Sequence, residues 1–112
     1  MRLFLTALRQ GLPDVPVVVV SPILRPGAEA RPNRFGATLG QLRTAIEDAV
    51  RDFAQAGDTR LTLVPGLDLV PAAQLVDGVH PDDDGQRRLA ACLAPHVAAG
   101  LGLSASPEAV IH

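Results

Sequence analysis

The sequence predicts an α/β domain built on a parallel sheet. Two observations carry this. Two short runs of apolar, β-branched-rich residues, around Val17–Val20 and Leu61–Val64, are separated by one long amphipathic segment. Helical patterns also precede the first run and follow the second, so the order is helix, strand, helix, strand, helix. That alternation is the βαβ habit of parallel sheets.

The elements follow in order. Residues 2–10 read as a helix, with Leu5 and Leu8 on one side and Arg2 and Arg9 among the polar positions; Gly11 and Pro13 stop it. Val15-Pro16-Val17-Val18-Val19-Val20 is a continuous apolar run, as expected of a strand covered on both faces, and Pro22 closes it. Residues 22–34 form a loop containing Pro22, Pro26 and Pro32. Phe35, Leu39, Leu42, Ile46, Ala49, Val50 and Phe53 then recur at three- and four-residue steps, with charged residues between them. Gly57 terminates this helix. Arg60–Val64 is the second strand, ended by Pro65-Gly66. Asp82, Asp83 and Asp84 open a last helix, where Asp83 and Gln86 have capping-box spacing. Leu89, Cys92, Leu93 and Val97 form its inner face, and Pro95 is expected to kink or end it. Residues 1–100 read as part of one domain, since two strands are few for such a sheet. Residues 101–112 read as a flexible tail.

Composition narrows the function. The chain has 112 residues, 47% hydrophobic, with a net charge of -2. A near-neutral surface argues against nucleic-acid or anionic-membrane binding. Aromatics are 3%, with no Trp or Tyr, so base-stacking platforms are not expected. Cys92 is the sole cysteine, which rules out an intrachain disulfide and suits a small core residue. Residues 1–8 imitate a signal peptide only faintly, because Arg9-Gln10 follow without a cleavage site. No run approaches the ~18 apolar residues of a membrane span. The compartment is therefore unknown, cytoplasmic by default. All ten basic residues are Arg. This points to a GC-rich genome, in which misassigned start codons are common.

Asp77-Gly78-Val79-His80-Pro81 is the most informative stretch. A carboxylate three residues before a histidine can accept a hydrogen bond from one ring nitrogen and leave the other free as a base. On spacing alone, the pair reads equally well as a tie within a turn. Ser21, at a strand end, lacks the Gly-flanked elbow that exposes a nucleophile and is better read as a strand-end cap. Ser104 and Ser106 are weaker candidates still. Asn33 reads as a turn residue or helix cap. Asp82-Asp83-Asp84-Gly85 fails as a calcium loop, because His80 and Ala91 would fall where carboxylates are required. A zinc site would need more than Asp77 and His80, and His96 and His112 stand apart. Arg25, Arg31 and Arg34 crowd the 22–34 loop against Glu29. They read either as a solvated loop or as a contact for an anionic or sugar-bearing substrate.

The Asp77–Pro81 block, followed by Gly85 and a Leu/Ala-rich helix, resembles the last conserved block of the SGNH hydrolases, the GDSL lipase/esterase family. The Val17–Val20 strand with Ser21-Pro22-Ile23, the Arg-rich amphipathic helix and the Leu61–Val64 strand resemble the later elements of that fold. The resemblance covers the C-terminal half of a family domain. It implies a partial flavodoxin-like three-layer parallel sheet, made of the last two strands and flanking helices. It further implies His80 as the catalytic base, Asp77 as its orienting acid, ester substrates such as short acyl or sugar O-acyl groups, and no cofactor. The Gly-Asp-Ser nucleophile block and the Gly and Asn oxyanion blocks have no match in the chain, so residues 1–112 alone are expected to be catalytically silent or very weak. An alternative is a non-catalytic fragment that pairs with itself, or with a separate N-terminal half, through the exposed strand Val17–Val20. An open reading frame upstream of Met1 would make Met1 an internal residue.

Overall fold

A computed structural model describes residues 1–103. The expected tail therefore lies outside the described residues from position 104 onward, and Ser104, Ser106 and His112 with it.

Helix α1 (Arg2–Gly11) leads into strand β1 (Val17–Val20), helix α2 (Leu39–Gln55), strand β2 (Leu61–Val64), a short 3-10 turn (Ala72–Gln74) and helix α3 (Asp83–Gly100). β1 and β2 pair in parallel, with Val17 opposite Leu61 and Val20 opposite Val64. Because side chains alternate along a strand, the two sheet faces receive different cover. Val17, Val19 and Leu63 pack on a core of Leu5, Val50 and Leu61, joined by Phe53, so α1 and α2 lie on one face. Val18 faces the other way, toward Val97, Gly100 and Leu101 of the α3 end. The result is three layers, helix on sheet on helix.

Local chemistry sets the element ends. Thr38 caps α2: its side chain accepts from the Gln41 N–H, while the Gln41 side chain accepts from the Thr38 N–H. Phe35 therefore lies outside the helix and 80% exposed, although its spacing fits the apolar stripe. Asn33 is a turn residue, its Oδ1 accepting from Phe35 N and Ala37 N at 2.8 and 3.1 Å. Gly57, at φ +110°, ends the α2 region in the left-handed conformation that glycine tolerates best.

The structure revises three expectations for α3. The cap is Asp82, one residue before the expected Asp83, because Asp82 has the extended backbone of a cap and accepts from Gly85 N at 2.7 Å. Of the kink or end expected at Pro95, the end does not occur, and the helix continues to Gly100. Pro95 and Ala91, whose carbonyl loses its helical partner, are both exposed, so water can satisfy that carbonyl. Val97, expected on the inner face, is 48% exposed.

Arg9 ties the lower end of the sheet together. Its guanidinium bonds both carboxylate oxygens of Asp58 at 2.7 and 3.1 Å, and also the carbonyls of Leu12, Val15 and Arg60. A residue placed by spacing among the polar positions of α1 thus joins α1 to both strand entries.

Candidate active site

The chain leaving the carboxyl end of β2 turns back on itself before α3. Leu75 and Pro81 form an antiparallel bridge. Val76 N donates to His80 O at 2.8 Å, and Asp82 N to Gln74 O at 2.7 Å, so residues 76–80 form a closed loop. Gly78 sits at φ +77°, a conformation few other residues adopt cheaply. Gly85 meets this loop from below. A Cβ there would lie 3.0 Å from the Pro81 side chain and 3.1 Å from the Gln74 carbonyl. Only a residue without a side chain lets the helix start pack this closely under the loop. Val70 and Leu75, both buried, supply the apolar floor.

The loop presents Asp77 and His80 together. Asp77 Oδ1 accepts from Val79 N at 2.9 Å and from His80 N at 2.8 Å. That is an Asx-turn, in which the side chain takes the place of a backbone acceptor. Asp77 Oδ2 lies 2.7 Å from His80 Nδ1. The hydrogen bond with the His80 ring, followed by those from the two backbone N–H groups, holds the Asp77 carboxyl well below the usual carboxylate range. An ionised carboxylate can only accept. His80 therefore carries its proton on Nδ1, and in the neutral ring Nε2 keeps a free lone pair. The side chains of His80 and Asp77 are 76% and 54% exposed, so that nitrogen is accessible. The arrangement can accept a proton in a fixed direction, as a general base requires.

Ser21 is not placed with this pair. It is 1% exposed; its hydroxyl donates to Glu47 Oε2 at 2.6 Å and accepts from Gly66 N at 2.8 Å. It joins the ends of the two strands to α2. The contact is tight, since a Cβ on Gly66 would fall 1.9 Å from the Ser21 carbonyl oxygen. Arg25 and Arg31 lie exposed on the 22–34 loop, and Arg34 stacks 4.8 Å over the Phe35 ring. Among the described residues, no three His, Cys, Asp or Glu side chains converge as a metal site would need.

Sequence reasoning missed Arg43. It is 6% exposed and donates to both oxygens of Glu29 at 2.6 and 2.8 Å, to Pro22 O at 2.7 Å and to Ile23 O at 3.0 Å. It clamps the root of the Arg25/Arg31 loop onto α2. Glu29, read as the counter-charge of the loop arginines, is instead held by Arg43, whose bond lowers its pKa to about 2. One signal was present: Arg43 falls on the 39–43–46–50 stripe that faces the core, a position where an unpaired charge is not tolerated.

No family model matches the chain, and no curated protein matches it. Two solved structures do. One is the salicylyl-acyltransferase SsfX3 from a tetracycline biosynthetic pathway, with a TM-score of 0.68, 19% identity and 88% of this chain covered. The other, from Bacteroides ovatus, is assigned as a GDSL-like lipase, with a TM-score of 0.70, 22% identity and 90% of this chain covered. In each case the match spans only 30% of the solved chain. The likeness shows the fold, that of a partial SGNH-like domain. Among the described residues, no helix is long and apolar enough to cross a membrane.

Proposed function

We propose that this chain carries the base and its orienting acid for a GDSL-type serine ester hydrolase or acyltransferase, whose nucleophilic serine and oxyanion donors lie outside residues 1–112. The observation that carries the reading is the Asp77 Oδ2 to His80 Nδ1 contact of 2.7 Å, with Asp77 anchored by two backbone N–H groups and the far ring nitrogen open. The fold it shares with a protein assigned as a lipase and with an acyltransferase supports acyl-transfer chemistry.

In the completed site, His80 Nε2 takes the serine proton as the serine oxygen bonds to the acyl carbon. The tetrahedral adduct collapses, the ester C–O bond breaks, and the imidazolium returns the proton to the departing alcohol. Water, or a second alcohol, then releases the acyl group by the reverse sequence. Asp77 steadies the imidazolium throughout without taking the proton. The substrate is a carboxylic ester or an O-acyl sugar. Arg25 and Arg31, exposed on a loop whose root Arg43 fixes, are candidate contacts for its polar part.

The test is labelling with a fluorophosphonate probe, which bonds covalently to an activated serine. In protein isolated from its host, a serine outside residues 1–112 is expected to label, and His80→Ala to abolish the labelling. The purified 112-residue chain is expected neither to label nor to hydrolyse a p-nitrophenyl ester at enzyme-like rates. Labelling of the host protein that survives His80→Ala overturns the reading, and so does labelling of Ser21 in the 112-residue chain.

A further inference from the structure

We propose that the 22–38 loop recognises an acylated sugar that carries a carboxylate, its arginines meeting the anion and Phe35 the sugar ring. This rests on the reading above and names the substrate class of that site.

The arginines of the chain fall into two groups. Outside the loop, each has a polar partner: Arg60 and Arg88 bond backbone carbonyls, and the others pair with carboxylates. Arg25, Arg31 and Arg34 are exposed, and among the described residues their side chains meet neither a carboxylate nor a carbonyl. Glu29, the one acid of the loop, does not neutralise them, because Arg43 of α2 bonds both its oxygens. A chain with a net charge of -2 thus gathers its uncompensated positive charge on one segment. Like charges held together repel, and an anion relieves the repulsion.

The loop is long and has no secondary structure, yet it is fixed, a combination found mostly in functional loops. In its first turn, Ala28 N donates to Arg25 O at 2.9 Å, and the Ala28 and Glu29 carbonyls accept from Leu39 N and Gly40 N at 3.1 and 3.3 Å. In its second turn, Asn33 N donates to Ala37 O at 2.8 Å, and Gly36 sits at φ +85°. Both turns abut the start of α2, the first bearing Arg25 and the second Arg34 and Phe35. A loop fixed in advance loses little freedom when a ligand arrives.

The side chains indicate the ligand. The planar fork of arginine matches a carboxylate. The Arg34 guanidinium lies 4.8 Å from the centroid of the Phe35 ring, which is 80% exposed. The electron-rich face of such a ring suits the C–H groups of a sugar. The root of the loop lies beside the site: Gly66, at the exit of β2, donates to Ser21 Oγ, and a Cβ there would fall 2.7 Å from the Pro22 carbonyl. The loop and the segment leading to Asp77 and His80 therefore leave the same edge of the parallel sheet, where ligands of such sheets collect.

NMR titration of the protein isolated from its host tests this, with glucuronate and glucose as probes. Glucuronate is expected to bind about tenfold more tightly than glucose, the size of one charge-assisted hydrogen bond. Arg25→Gln with Arg31→Gln should remove that preference without moving the unfolding midpoint, since neither side chain bonds another group of the chain. Equal binding of the two sugars, binding of neither, or a preference that survives in the double variant overturns the proposal. Inorganic phosphate binding as tightly as glucuronate overturns the assignment to a sugar acid. Preferred binding of glucuronate by a protein with no fluorophosphonate-reactive serine upholds the sugar-acid site and overturns the esterase reading. Serine labelling without the preference overturns the sugar-acid site alone.

Discussion

Two acid–base pairs hold the loops that leave the carboxyl ends of the strands, one joining a loop to α2 and one lying within a single loop, and they are built in opposite ways. Arg43 and Glu29 are largely buried, with side-chain exposures of 7% and 24%. Their partners are each other, the carbonyls of Pro22 and Ile23, and the Arg25 N–H, which donates to Glu29. Asp77 and His80 are open to water, and their geometry is fixed by backbone N–H groups within one five-residue loop. The contrast separates a pair that holds structure from one that can perform chemistry. A buried pair is committed on every side and has no free atom to offer. The exposed pair keeps one ring nitrogen uncommitted while a short loop fixes its direction.

The sharpest way to break the comparison is Arg43→Met. This removes one partner of a buried pair, leaving Glu29 with only the Arg25 N–H and the Pro22 and Ile23 carbonyls without their guanidinium donor. Such a loss costs about 3–5 kcal/mol, a large share of the stability of a small domain. Urea unfolding should show the midpoint falling sharply. Replacing both partners, as in Arg43→Met with Glu29→Gln, should recover part of the loss, because the unpaired charge is gone. Equal loss in the single and double variants would mean that the clamp works through its carbonyl contacts alone.

Next in size is Gly66→Ala. The added Cβ would overlap the Ser21 backbone oxygen, which cannot yield as a side chain does. A cost of roughly 1–3 kcal/mol is expected for forcing the two strand ends apart. The Ser21–Glu47 bond should loosen with it. A neutral result would show that the strand ends are less tightly joined than their hydrogen bonds indicate.

The two pairs should also part company with pH. The Glu29 pKa falls from 4.5 to about 2 on folding, chiefly through its bond with Arg43. A carboxylate depressed in the folded state contributes stability that is complete above its unfolded value and is lost as pH falls through its folded value. The Glu29 contribution should therefore fade between about pH 4.5 and 2. Arg43→Met should flatten that part of the profile. Unfolding midpoints of the two proteins across this range test it, and parallel profiles would contradict it.

These differences explain what the sequence made legible. The α/β order, both strands and the Asp77/His80 loop were readable because each is local. Strand runs, helical spacing and an Asx-turn all fall within a few residues. The Arg43 clamp joins positions 14 residues apart, and the Arg9–Asp58 tie joins positions 49 apart. A charge on an apolar stripe signals that such a partner exists but does not say where. The extra turn assigned to α2 from Phe35 failed for a related reason: periodicity continued past the point where Thr38 and Gln41 close the helix.

The smallest effect on stability, and the most telling for chemistry, is expected at the exposed pair. In Asp77→Asn, the side-chain oxygen can still accept from the Val79 and His80 N–H groups, so the loop should keep its shape. The second oxygen becomes an NH₂ group, which cannot accept from His80 Nδ1–H. The neutral ring should then turn to the tautomer protonated at Nε2, closing the nitrogen that Asp77 had kept free. Imidazole nitrogen shifts would show the exchange directly. Stability should move by no more than about 0.5 kcal/mol, as at other exposed surface positions. The same variant in the host protein should lose most serine labelling, since the base would present a proton where a lone pair is needed. An unchanged tautomer with unchanged labelling would reduce Asp77 to a tie within its turn.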